Sequence, residues 1–172
     1  MTLTNTRIAA VSAVAAAVLL AAGCSSSSSS SHASAGSSSA SASTPVSKAL
    51  IKQYLDSEKT VLTAIQTGAD KMKALKAPAA ASDVQAALQP MVSATQTFDQ
   101  QIGAMPWPAA LQSKVSALQD ADGAWLKAAT GLMGTLTGPV PPDKVTGALN
   151  GPYDGQVAAV DHLRAAMNLP SL

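Results

Sequence analysis

Three stretches of this 172-residue chain repeat inward-type side chains at alternating steps of four and three. The clearest is Leu111, Val115, Leu118, Asp122, Trp125, Ala129, Leu132 and Leu136. Before it run Val84, Leu88, Met91, Thr95, Phe98, Ile102 and Met105, and earlier still Ile51, Leu55, Glu58, Leu62, Ile65, Ala69 and Met72. Steps of four and three follow one face of an α-helix, whereas a half-buried strand would alternate at every second residue. No segment sustains β-branched alternation. A fourth helix is read over 145–169, with Leu149, Tyr153, Val160, Leu163 and Met167 turned inward.

Proline punctuates these stripes. Ala77-Pro78 ends the first, Met105-Pro106-Trp107-Pro108 makes a rigid corner after the second, and Gly138-Pro139-Val140-Pro141-Pro142 separates the third from the fourth. Ser82-Asp83-Val84-Gln85 has the pattern of a capping box opening the second helix. Pro90 is expected to kink that helix and Asn150-Gly151-Pro152 to interrupt the fourth. Short connections favour antiparallel neighbours, so residues 46–172 are expected to form one all-α domain, an up-down-up-down four-helix bundle, as a monomer. That length buries one core and is too short for two ordinary domains. The chain's 36 alanines let such helices pack closely.

The segment ahead of the bundle obeys different rules. Residues 1–7 are polar with one positive charge, Arg7; residues 8–22 are apolar except for Ser12; and the run closes on Leu20-Ala21-Ala22-Gly23-Cys24. These are the three regions of a secretory signal peptide. The 15-residue apolar run is shorter than the roughly 20 residues a helix needs to cross the hydrocarbon core. Small residues directly before a cysteine resemble the lipobox of bacterial lipoproteins, a resemblance confined to about the first 24 positions. It implies removal of a signal peptide, residues 1–23, by cleavage between Gly23 and Cys24, with a diacylglyceryl group on the Cys24 thiol. The mature chain would then be held by its lipid anchor on the extracytoplasmic face of a bacterial cell membrane. Two acyl chains hold a protein there stably, where one gives marginal binding.

Cys24 is the chain's one cysteine, so no disulfide, thiolate nucleophile or Cys-ligated metal is expected in the bundle. In residues 25–44, thirteen of twenty are serine, a composition that reads as a flexible linker closed by Pro45. As a coil of that length it would span about 25 Å. Without Arg7, ten Lys/Arg balance ten Asp/Glu, which leaves no global field for nucleic acid, and no nucleic-acid partner is expected.

Chemically the bundle is sparse. His162 is the single histidine of residues 46–172, and Asp161 beside it projects about 100° away on a helix, so a Ser-His-Asp triad is not expected. Glu58 is the only glutamate, which excludes the Glu and Glu-x-x-His set of di-iron bundles. No phosphate-loop, dinucleotide or nucleophile-elbow motif occurs. The reading therefore has no catalytic residue, no metal site and no cofactor.

Glu58 and Asp122 interrupt their stripes at about 18 Å and 21 Å from the expected helix starts, and so share a level. They either form a polar layer with Tyr153 or Gln156 that binds a cation or small ligand, or sit at stripe edges and reach water. Burying unpaired carboxylates is costly and no lysine lies on these stripes, so the edge placement is expected. Trp125 is read as core and Trp107, between two prolines, as an exposed contact. The resulting functional expectation is a non-enzymatic helical interaction or structural module, facing an unknown envelope protein or cell-wall component. Its alternatives are a small-ligand or cation-binding bundle, and an envelope enzyme using Glu58 or Asp122 with His162.

Overall fold

Ser47 opens the first helix: its side-chain oxygen accepts the Leu50 N–H at 3.1 Å, satisfying one of the donors a helix start leaves free. In the computed structural model, which describes residues 45–172, four helices follow: α1 (Lys48–Ala74), α2 (Ala81–Ala104), α3 (Ala109–Thr135) and α4 (Pro142–Ala166). The expected signal peptide, with Gly23 and Cys24, and the expected serine-rich linker lie outside the described residues. Among the described residues no helix is long and apolar enough to cross a membrane.

The architecture is the expected all-α four-helix bundle. Consecutive helices pack side by side, α1 on α2, α2 on α3 and α3 on α4, while α1 and α4 meet at few points. Inward faces of all four helices supply the core, with Trp125, Phe98, Leu88, Ile102, Leu118 and Leu163 among its fully buried side chains. The α2 stripe is buried throughout, from Val84 to Met105, and the α3 stripe from Leu111 to Ala129. Leu132 and Leu136 are half-buried.

Four local expectations are corrected. In α1 the buried face is rotated by one residue: Leu50, Tyr54, Val61 and Gly68 join Glu58, Ile65 and Met72, while Ile51, Leu55, Leu62 and Ala69 are half-buried. Adjacent apolar pairs such as Leu50-Ile51 and Val61-Leu62 offer two overlapping stripes, and packing against α2 selects between them. Gly68 marks that contact, because a Cβ there would fall 2.4 Å from Met91 Cγ and 2.8 Å from the Ala87 carbonyl oxygen.

The second correction concerns Ser82, which is not a cap. Helix α2 starts at Ala81 after Ala80, with no side-chain capping bond, and the Gln85 amide donates instead to the Met133 carbonyl at 2.9 Å. Reciprocal 2.9 Å bonds between the backbones of Ala79 and Val140 tie the 75–80 and 136–141 connections together and set the earlier start.

Third, α4 runs unbroken through Asn150-Gly151-Pro152, as α2 does through Pro90. Each proline removes one donor, and the carbonyls so freed belong to Ala86 and Ala148, both exposed residues that water can reach. Fourth, α4 begins and ends earlier than the periodicity indicates. Pro142 takes the first helical turn, and Asn168, with φ 59°, closes the far end while Leu169 N–H bonds to the Arg164 carbonyl at 2.9 Å.

Candidate functional site

Both carboxylates that interrupt the stripes point inward, against the expectation of edge placement. Glu58 is 3% exposed and Asp122 0%. What makes this tolerable is a set of partners from other positions in the bundle. The Tyr54 hydroxyl, one turn earlier on α1, donates to Glu58 Oε1 at 2.8 Å, and Arg164 of α4 donates through Nη1 to Glu58 Oε2. Arg164 also donates through Nε to the Pro170 carbonyl at 2.5 Å, so residues after α4 help to hold the guanidinium.

Arg164 is the residue that sequence reasoning missed. It follows Leu163 directly and lies off the simple stripe, yet it is the only arginine in residues 46–172 and is buried at the α1–α4 seam. A planar donor fork suits a buried carboxylate better than a lysine does, and that singular arginine was the available signal.

Asp122 takes a different partner. Gln156 Nε2 donates to Asp122 Oδ1 at 2.6 Å, which makes Gln156, and not the half-buried Tyr153, the glutamine-or-tyrosine member of the layer. Asp122 Oδ2, Gln156 Oε1 and Thr95 Oγ1 are buried with no partner. Burial pushes the Asp122 carboxyl up to about 7, helped by the charge of Asp99 and opposed by the Gln156 bond. The Tyr54 hydroxyl is likewise held protonated by burial and by the Glu58 carboxylate that accepts from it.

A shared cation between Glu58 and Asp122 does not fit this arrangement. Both oxygens of Glu58 already accept from Tyr54 and Arg164, and a cation would have to displace a guanidinium. Among the described residues no group of three or more His, Cys, Asp or Glu side chains could hold a metal ion. His162 is exposed, and its neighbour Asp161 accepts the Leu172 N–H at 2.9 Å.

The two tryptophans divide otherwise than expected. Trp125 is core, as read, but Trp107 is 9% exposed, packed edge-on against Tyr54 at 5.9 Å between ring centroids. Its indole N–H donates to the Ile102 carbonyl at 2.7 Å, inside the turn that the flanking prolines impose. The corner that suggested exposure is what folds the ring back onto the core.

A cavity of about 210 Å³ opens between α1 and α4, where the two helices stand apart. Its wall is apolar, formed by Ile65, Met72, Met91, Trp125, Leu149 and Tyr153, with Gln66, Lys73, Thr146 and Asn150 at its rim. The fold and site define an all-α helical bundle with a buried polar layer and an apolar cleft. No family model, curated protein or solved structure matches this chain.

Proposed function

We propose that this chain is a cell-envelope lipoprotein, anchored through Cys24 on the extracytoplasmic face of a bacterial membrane. Its bundle is a non-enzymatic recognition or structural module for an envelope protein or cell-wall component. The anchor rests on the 20–24 ending and the apolar run before it. The observation that carries the non-enzymatic reading is the use made of the buried carboxylates. Glu58 is held by Tyr54 and Arg164 and Asp122 by Gln156, in bonds that join α1 to α4 and α3 to α4. Groups engaged in this way serve packing, and catalysis would need a proton donor or acceptor open to a substrate.

Two experiments test the reading. Replacing Cys24 by Ala and fractionating the cells should move the protein out of the membrane pellet; retention there as for the wild type overturns the anchor. A deletion strain supplied with the chain carrying His162→Ala and Asp122→Asn should behave as one supplied with the wild type. Loss of complementation by a double variant that keeps its helical circular dichroism would favour an enzyme.

A further inference from the structure

We propose that the α1–α4 cleft is a binding site for a single-chain zwitterionic amphiphile of the lysophospholipid kind, its acyl chain lying along the seam. The inference concerns the bundle alone and stands whether or not Cys24 carries lipid.

The cleft belongs to a file of three hollows. At the end where α4 begins, an outer hollow of about 530 Å³ shares Met72, Lys73, Thr146 and Asn150 with the 210 Å³ cavity. Deeper in, a small one of about 20 Å³ shares Ile65 and Tyr153 with it and ends at Glu58. On α1 the file runs from Lys73 to Glu58, about 22 Å of helix. The exposed polar groups Lys73, Asp143, Thr146 and Asn150 stand at the outer end, the wall of the 210 Å³ cavity is aliphatic, aromatic and thioether, and the buried Glu58 and Gln156 close the inner end. An apolar stretch behind a charged, solvent-open mouth matches a linear chain with one polar head, whose tail stops short of the engaged Glu58. Met72 and Met91 in the wall add side chains that adapt to a flexible ligand.

Gly68 lets α1 approach α2 closely at Ala87 and Met91, and Met91 forms part of the cleft's floor. The opposing wall is pliant, because α4 contains Gly147, Gly151, Pro152 and Gly155, and no neighbour lies within 4 Å of a Cβ built at any of these glycines. The surface also favours a small molecule over a protein: among the described residues the one large hydrophobic side chain that is exposed is Leu172, at the edge of the inner hollow, and no broad apolar face is offered.

Charge at the mouth selects the head. Lys73 of α1 and Asp143 of α4 line the outer hollow together and form no ion pair with each other. Lys73 approaches only Asp70, at 3.8 Å, with 76% of its side chain exposed. A cation and an anion on the rim of one hollow suit a phosphate and an ammonium on one head, whereas a simple fatty acid would meet Asp143 with nothing to offer it.

The test uses the purified full chain and a lysophosphatidylcholine brominated on its acyl chain, kept below its micelle concentration. Bromines seated in the cleft should quench Trp125, and Trp125→Phe should abolish that quenching. Ala69→Phe on one wall, or Asn150→Phe on the other should the first fail to fold, should block it. Lys73→Gln and Asp143→Asn should each weaken binding about threefold, the scale of one exposed charge pair. A brominated fatty acid of equal chain length should bind more weakly. The proposal is overturned by absence of quenching, by quenching that survives both blocking variants, or by a fatty acid that binds equally well with no effect of the rim substitutions. A concentration-dependent dimer that protects the cleft would also overturn it, since a second copy would then be the occupant.

Discussion

Gln156 of α4 donates its amide N–H to Asp122 Oδ1 of α3 at 2.6 Å, while the other oxygen of each side chain, Gln156 Oε1 and Asp122 Oδ2, is buried without a partner. Two acceptors lack one donor. A proton on Asp122 would turn one of these acceptors into a donor, and burial favours that neutral form by pushing the carboxyl up to about 7.

Stability should therefore fall as pH rises. The folded state holds this proton up to about pH 7, whereas the unfolded chain releases it near 3.8, so between those values the folded state binds more protons. The contribution is intact below about pH 4 and lost above about pH 7, with a span on the order of 4 kcal/mol. Urea unfolding at pH 5 and pH 8 should show the higher midpoint at pH 5. Asp122→Asn, whose amide donates without titrating, should flatten most of the slope. The upward shift of Asp99, also from burial, leaves a residual slope of the same sign.

Removing Arg164 should be costly in a way that removing the whole pair is not. Arg164→Met leaves Glu58 charged, buried and short of one donor, at about 3–5 kcal/mol. Adding Glu58→Gln, which can still accept from Tyr54, should recover a large part of that loss. A double-mutant cycle by chemical denaturation measures the coupling, and simple additivity would contradict the ion pair.

Glycines on the two sides of the cleft should respond in opposite directions. Gly68→Ala drives a methyl group into Met91 and the Ala87 carbonyl and should destabilise by about 1–3 kcal/mol. Gly147→Ala and Gly155→Ala place theirs in open space within α4 and should stabilise by about 0.5–1 kcal/mol each. Thermal melts of the three variants check the sign.

Trp107→Phe should cost about 1–3 kcal/mol, because the Ile102 carbonyl loses a buried donor. Acrylamide should quench the native fluorescence weakly, since both tryptophans are buried. Strong quenching would return Trp107 to the surface.

Much of the α2 and α3 architecture was legible in advance because their inward positions are large and apolar at spacings that fit no strand. On α1 the reading slipped by one residue, where neighbouring apolar side chains left two faces equally good. Capping at Ser82 and interruption at Asn150-Gly151-Pro152 misread local motifs whose effect the rest of the bundle cancels: a backbone bridge at Ala79 starts α2, and exposed carbonyls let α4 continue past its proline.

For the candidate site the division is sharper. Periodicity alone marked Glu58 and Asp122 as the carboxylates on apolar stripes, because spacing along one helix is local information. Whether they faced the core depended on partners 106 and 34 residues away, Arg164 and Gln156, which approach only when α4 lies against its neighbours. The cleft is a tertiary property for the same reason. Helix number, order and the inward faces of α2 and α3 follow from local spacing and breaks, but the inward face of α1, the energy of a buried charge and the gap between α1 and α4 depend on which helices meet and how closely.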